Sequence, residues 1–139
     1  MNRFRLHIFA ADRVFFEGDC VSLIVPTVHG QYGVQAHHSN MIAALVPGMM
    51  TYRREPGESC VAAVSAGLIK VEDNDVLVLV DAAERPEDID AIRARRAADA
   101  AREELLQKRS RQEYRAAQAM LARAINRLRV KKHEGLMGK

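Results

Sequence analysis

The hydrophobic pattern of this 139-residue chain changes its period once, close to residue 84. Before that point, Phe4, Leu6 and Ile8 alternate with polar residues, which is the two-residue period of a strand with one buried face. After residue 86, alanines and leucines recur every three or four positions, which is the spacing of one face of a helix. The change predicts two successive units, residues 1–84 and residues 85–139.

The first unit is predicted to consist of short antiparallel strands. Apolar segments rich in Val and Ile continue to about Asp81, and clusters of turn-forming residues separate them. The acidic segment at residues 72–75 lies between two such segments and predicts a hairpin. Several short strands at this spacing favour an antiparallel sandwich or barrel.

The second unit is predicted to be an antiparallel α-helical hairpin. Pro86 and the acidic residues after it are typical of a first helical turn, and neither Gly nor Pro follows up to Gln107. A break is expected at residues 108–111, and a second helix from there to about His133, with Gly135 and Gly138 at its end. The two apolar stripes are Ala91, Ala94, Ala98, Ala101 and Leu105 on the first helix, and Tyr114, Ala117, Leu121, Ala124 and Leu128 on the second.

Alanine dominates both stripes. It lets two helices approach closely and favours helical backbone, but each alanine buries little area, at about 0.8 kcal/mol per CH₂ group. The hairpin therefore combines strong intrinsic helicity with weak tertiary packing, which is typical of an element that can move.

Charge divides along the same boundary. Residues 1–84 have 6 Lys or Arg and 10 Asp or Glu, whereas residues 85–139 have 15 and 8. Residues 108–139 alone have 10 basic and 2 acidic residues. Three interpretations stay open: a solvated helix face, docking onto an acidic protein surface, or a small nucleic-acid-binding protein that uses the basic hairpin. The last one requires salt-sensitive affinity for DNA or RNA that is lost with residues 85–139.

The sequence contains no motif for catalysis, and we predict no catalytic and no metal-binding residues. Adjacent His37 and His38 would point to opposite faces of a strand and lack neighbouring ligands.

Two cysteines, Cys20 and Cys60, are expected to be small buried hydrophobes in a reducing compartment. The longest apolar run, residues 41–46, is far below the roughly 18 residues that span a bilayer, so no membrane insertion is expected. The N-terminus has no apolar leader pattern, so secretion and organelle import are not expected. The acidic residues of the helices, namely Asp88, Asp90, Glu103 and Glu104, are expected to form ion pairs along a helix.

Four stretches together resemble the epsilon subunits of bacterial F-type ATP synthases, and the resemblance covers the whole chain. They are the turn at residues 30–34 with His38 and residues 45–48, residues 65–71 leading to 76–80, residues 89–94, and residues 114–130. The last stretch, which ends Leu-Ala-Arg-Ala-Ile-Asn-Arg-Leu-Arg-Val, is the most distinctive. The family usually has proline where this chain has Ala36 and Asn40.

The resemblance implies an α+β fold, with an N-terminal antiparallel β-sandwich followed by a C-terminal antiparallel α-helical hairpin. It implies a non-catalytic rotor subunit of the central stalk, at the cytoplasmic face of the bacterial plasma membrane, that helps couple ion translocation to ATP synthesis. The sandwich would bind the gamma subunit and the c-ring. The hairpin would inhibit ATP hydrolysis when it extends toward the alpha and beta subunits.

The resemblance also implies no obligatory cofactor, but a site for ATP as a regulatory ligand. Its residues would be Glu84, Ile89, Asp90, Arg93, Ala94, Arg123 and Arg127. Arg123 and Arg127 lie four residues apart, so both guanidinium groups can converge on phosphates. A structural alternative is a set of salt bridges from Asp90 or Glu84 to those arginines.

Overall fold

The strands of the N-terminal unit form two five-stranded sheets. The computed structural model describes residues 2–107 and 111–137, and the chain divides into two units, Met1–Glu84 and Arg85–Lys139. Sheet A has the strand order β2-β1-β9-β8-β5 and sheet B the order β10-β7-β6-β3-β4. The strands are β1 Phe4–Ala10, β2 Arg13–Cys20, β3 Ser22–Thr27, β4 Gly30–Gln35, β5 Met41–Leu45, β6 Gly48–Arg53, β7 Cys60–Val64, β8 Gly67–Glu72, β9 Asp75–Val80 and β10 Ala83–Glu84.

The inward faces of the two sheets share one hydrophobic core, which makes the unit a sandwich. On β1, Phe4, Leu6 and Ile8 are buried and the residues between them point outward, as the alternation predicts. Sheet B contributes Leu23, Val25, Met50 and others to the same cluster. The predicted β-sandwich is thereby confirmed.

One strand pair departs from the antiparallel pattern. β1 and β9 run parallel, with Arg5 opposite Asp75 and Phe9 opposite Leu79, whereas the other pairs of both sheets are antiparallel. The predicted hairpin between β8 and β9 is present, and its turn residues Asp73 and Asn74 have φ angles of 51° and 66°. Aspartate and asparagine tolerate this left-handed conformation better than most residues.

The C-terminal unit has two α-helices, α1 Ala91–Gln107 and α2 Arg111–Met137, which pack against each other. The predicted start of the first helix is corrected: Pro86–Asp88 form a separate 3-10 turn, and α1 begins only at Ala91. The reason is that Asp90 caps α1, as described below. The predicted end of the second helix is also corrected, because helical backbone continues through Gly135 to Met137. The predicted break at residues 108–110 and Gly138 lie outside the described residues.

Small side chains form the contact between the helices. Ala94, Ala98 and Ala101 of α1 are buried, as are Ala117 and Ala124 of α2. The other predicted stripe positions, Ala91, Leu105, Leu121 and Leu128, are half-buried, and Tyr114 is exposed. The predicted hairpin packing through alanines is thus confirmed, except that Tyr114 is exposed rather than buried.

The two cysteines are free thiols. Cys20 is buried in the sandwich core, and burial raises the pKa of its thiol to about 11. Cys60 is half-buried, and burial raises the pKa of its thiol as well. Both thiols are protonated at neutral pH. The prediction of a small buried hydrophobic side chain is confirmed for Cys20. It is wrong for Cys60, which is half-buried and whose Sγ donates a 3.4 Å hydrogen bond to Glu58 Oε1.

Candidate functional site

The outer face of sheet A, which points away from the core, presents three parallel rows of side chains. Strand register aligns the outward residues of neighbouring strands, so each row runs from strand to strand across the sheet. The row farthest from the β8–β9 turn is apolar and crosses all five strands; we call it the apolar row. It consists of Val14, Phe9, Leu79, Leu68 and Ala44.

The apolar row is accessible to solvent. Val14 is 57% exposed, and Leu79 and Leu68 are each 38% exposed. The next row, called the mixed row, adds Ile42, which is 72% exposed. Its members are Glu17, His7, Leu77, Lys70 and Ile42. A contiguous apolar surface bordered by charges is typical of a protein interaction site.

The third row, called the charged row, consists of Asp19, Arg5, Asp75 and Glu72. Arg5 lies 3.6 Å from Asp19, and Lys70 of the mixed row lies 2.8 Å from Glu72. This row and the charged members of the mixed row thus border the apolar surface on one side.

His7 lies between two carboxylates on this face. Its Nδ1 is 2.8 Å from Glu17 Oε2 on β2, and its Nε2 is 3.1 Å from Asp75 Oδ1 on β9. A neutral imidazole has only one N–H group, so the ring donates both hydrogen bonds only when it is protonated. The hydrogen bond to Glu17 is the largest cause that raises the pKa of His7, and Asp75 raises it further.

The residues predicted as an ATP site are divided between the two units. Glu84 is a half-buried residue of β10 in the N-terminal unit, where it pairs with Ala63. The other six belong to the C-terminal unit. Of these, Ile89 and Ala94 are buried, Arg127 is half-buried, and Asp90, Arg93 and Arg123 are exposed.

Asp90 has a structural role in the described backbone. Its Oδ1 accepts a hydrogen bond of 3.1 Å from the Arg93 amide, and its carbonyl accepts one of 2.9 Å from the Ala94 amide. These two bonds make Asp90 the N-cap of α1. One carboxylate oxygen is therefore already engaged with the helix backbone.

Basic side chains follow one another at four-residue intervals on α2. Arg123, Arg127 and Lys131 form what we call the basic stripe. Lys131 Nζ donates a hydrogen bond of 3.0 Å to the carbonyl oxygen of Pro86. The structure therefore places one end of this stripe against the turn that leads into Asp90 and α1.

The loop at residues 36–40, which contains Ala36 and Asn40, is held by asparagine side chains. Asn40 Oδ1 accepts a 3.0 Å bond from the Asp73 amide, and Asn74 Oδ1 accepts a 2.7 Å bond from the His37 amide. His37 has a φ of 63°. His38 Nδ1 donates to the Ser39 carbonyl, so its Nε2 accepts from the Tyr32 hydroxyl at 2.8 Å.

Within residues 2–107 and 111–137, no cluster of three or more His, Cys, Asp or Glu side chains has the arrangement of a metal site. None of the described helices is both long and apolar enough to cross a membrane.

Sequence reasoning missed the apolar row and the His7 cluster. A signal for the first was present, because residues 76–80 of β9 are apolar on both faces: Val76, Val78 and Val80 point inward while Leu77 and Leu79 point outward. The His7 cluster had no comparable signal, because its two carboxylates come from strands whose neighbours only the fold determines.

Both units match models of one protein family. The model described as "ATP synthase, Delta/Epsilon chain, beta-sandwich domain" matches residues 3–86, and "ATP synthase, Delta/Epsilon chain, long alpha-helix domain" matches residues 87–132. The ATP synthase epsilon chain of Shouchella clausii is 36% identical over 97% of this chain and 99% of its own length. The ATP synthase epsilon chain of Caldanaerobacter subterraneus subsp. tengcongensis is 38% identical over 91% of this chain and 92% of its own length.

Among solved structures, a chain of the Euglena gracilis mitochondrial ATP synthase (OSCP/F1/c-ring, rotational state 1) has a similar fold. Its TM-score is 0.79 at 22% sequence identity, over 88% of this chain and 77% of that one. The fold and both sequence matches agree, and the chain belongs to the ATP synthase delta/epsilon family. It is an accessory subunit of an enzyme complex rather than a catalytic one.

Proposed function

We propose that this chain is a rotor subunit of the central stalk of an F-type ATP synthase, and that it docks onto the gamma subunit through the outer face of sheet A. The observation that carries the proposal is the apolar row, which crosses all five strands and is open to solvent. Burial of such a surface in an assembly is favourable at about 25 cal/mol per Å² of apolar area. In this role the chain contributes to the coupling of ion translocation to ATP synthesis.

The loops at one end of the sandwich are proposed to face the c-ring. The hydrogen bonds of Asn40 and Asn74 fix the loop at residues 36–40, which lacks the two prolines expected from the resemblance. In that arrangement the chain would lie at the cytoplasmic face of the bacterial plasma membrane, as a peripheral part of the complex.

The helical hairpin is proposed to inhibit ATP hydrolysis. Its helices pack through alanines, which provide little apolar area to hold them together. Lys131 Nζ also donates a hydrogen bond to the carbonyl oxygen of Pro86. In the extended state, the basic second helix would meet acidic segments of the alpha and beta subunits, and salt would weaken that contact.

ATP hydrolysis by a synthase preparation stripped of this chain tests the proposal. Addition of the full-length chain is expected to lower the hydrolysis rate. Addition of residues 1–84 is expected to leave the rate unchanged, while competing with the full-length chain for the same binding site. Since the core cluster of the sandwich lies entirely within residues 4–83, the shortened chain retains its hydrophobic core.

If both forms bind and neither inhibits, the inhibitory role is wrong and the rotor role stands. If neither form binds, the rotor role is wrong for this chain. Salt-dependent binding of nucleic acid by the full-length chain in a gel shift, lost with residues 85–139, would instead support the nucleic-acid interpretation of the basic hairpin.

We further propose ATP as a regulatory ligand of the folded hairpin, held by Arg93 and by Arg123 and Arg127 of the basic stripe. The two α2 arginines lie one helical turn apart, so they can bind neighbouring phosphate oxygens. Ile89 and Ala94 are buried and would shape the site. Asp90 would fix the first turn of α1 beside the nucleotide.

Equilibrium dialysis with ATP tests this site. Arg123→Ala or Arg93→Ala is expected to weaken ATP binding by about tenfold or more, since a charge-assisted phosphate contact is worth about 1.5–3 kcal/mol. Arg129→Ala is the matched control, because Arg129 is exposed on a different face of α2. Asp90→Asn keeps an N-cap side chain, so lost binding in that variant indicates ligand contact rather than helix loss. Absence of binding at millimolar ATP would disprove the site.

A further inference from the structure

We propose that docking onto the outer face of sheet A depends on pH, because the Glu17–His7–Asp75 cluster must be protonated at His7 for the partner to cover it at low cost. The inference rests on the proposed docking face. It concerns three strands, β2, β1 and β9, each of which contributes one member of the cluster.

The cluster lies where a docked partner would cover it. His7 is a member of the mixed row, beside the apolar row, and its ring centroid is 5.9 Å from that of Phe9. The His7 side chain is 22% exposed, and those of Glu17 and Asp75 are 40% and 57% exposed. A partner seated on Phe9 and Leu79 would therefore remove much of the remaining water from these groups.

Protonation changes the charge that docking must bury. With His7 protonated, the three groups have a net charge of −1, and both ring N–H groups are used. Without the proton, the net charge is −2, and one carboxylate loses its hydrogen-bond donor. Removal of water from an unpaired carboxylate is costly, so the docked state favours the protonated form.

The surrounding charges do not replace His7. Arg5 faces the cluster from β1 but pairs with Asp19 of β2. Lys70 faces it from β8 but pairs with Glu72. Arg5 and Lys70 thus each have their own acidic neighbour. His7 is the group of the cluster whose protonation changes near neutral pH. Because Glu17 and Asp75 raise the pKa of His7, the ring loses its proton at a higher pH than an ordinary histidine does.

The test compares the affinity of the full-length chain for the stripped synthase complex between about pH 6 and pH 9 at constant ionic strength. Affinity is expected to fall by about tenfold as His7 loses its proton, because the docked state binds that proton more tightly than the free chain does. In the His7→Gln variant, the affinity is expected to fall by about twofold or less over the same pH range. His29→Gln is the matched control, because His29 is an exposed histidine in the β3–β4 turn and should leave the full pH dependence in place.

Glu17→Gln provides a second variant that keeps the histidine. It removes one carboxylate, so the fall in affinity is expected at lower pH than in the unchanged chain. Binding that is independent of pH, or an equal pH dependence in the unchanged chain and His7→Gln, would overturn the inference while leaving the docking face intact. Absence of binding at every pH would overturn the proposed rotor function and this inference with it.

Discussion

Gly67→Ala is expected to destabilise the N-terminal unit by about 4 kcal/mol or more, which is enough to unfold many domains. Gly67 begins β8 and pairs with both Leu45 and Val80. A Cβ atom at this position would overlap the carbonyl oxygen of Leu79 and lie 2.8 Å from Val80 Cγ1. The carbonyl oxygen of a central strand cannot rotate away as a side chain can. The backbones of the paired strands β8 and β9 would therefore have to move apart.

Urea unfolding followed by circular dichroism measures this effect. Gly33→Ala is the matched control, since Gly33 also lies in a strand but a Cβ atom there has no neighbour within 4 Å. That variant is expected to be within about 1 kcal/mol of the unchanged chain. A Gly67→Ala protein with near-normal stability would show that the β8–β9 spacing adapts more easily than the structure indicates.

Leu6→Ala is expected to cost about 2–5 kcal/mol, the range for a buried leucine truncated to alanine. Leu6 is fully buried in the middle of β1, and its neighbours come from both sheets of the sandwich. Thermal or urea unfolding of the full-length chain measures the change in the free energy of unfolding.

Leu68→Ala is the comparison for Leu6→Ala, because it removes the same atoms from the opposite face of sheet A. Leu68 is 38% exposed in the apolar row, so its truncation should cost about 1 kcal/mol or less in stability. The same variant should weaken docking onto the gamma subunit. If both variants lose equal stability, the apolar row is part of the unit's own packing and not a free surface.

The sequence predicts the sandwich and the hairpin because both depend on local periodicity. Phe4, Leu6 and Ile8 point inward because alternate residues of a strand share a face, and Ala94, Ala98 and Ala101 are buried because residues three and four apart share a helix face. The parallel pairing of β1 with β9 depends instead on which distant strand packs beside β1 in the folded sheet, and periodicity contains no such information.

The errors in the second unit have a different origin. Pro86 and Asp90 are each suitable near a helix start, and local preference does not decide between them; in the structure Pro86 opens a 3-10 turn and Asp90 caps α1. Gly135 was expected to end the second helix, but glycine inside a helix costs only about 1 kcal/mol, which the adjoining helical turns can offset. Tyr114 has the helical spacing of the stripe, but its side chain is exposed.

The parallel pairing of β1 with β9 has a consequence for synthesis of the chain. Arg5 pairs opposite Asp75, seventy positions later, and β1 lies between β2 and β9 in sheet A. A nascent chain can form the β1–β2 hairpin early, but the second edge of β1 stays open until β9 leaves the ribosome. Closure of sheet A thus waits for almost the whole unit, and contacts this distant in sequence slow folding. Until then, the free edge of β1 in the nascent chain is open to wrong pairing with a strand of another chain.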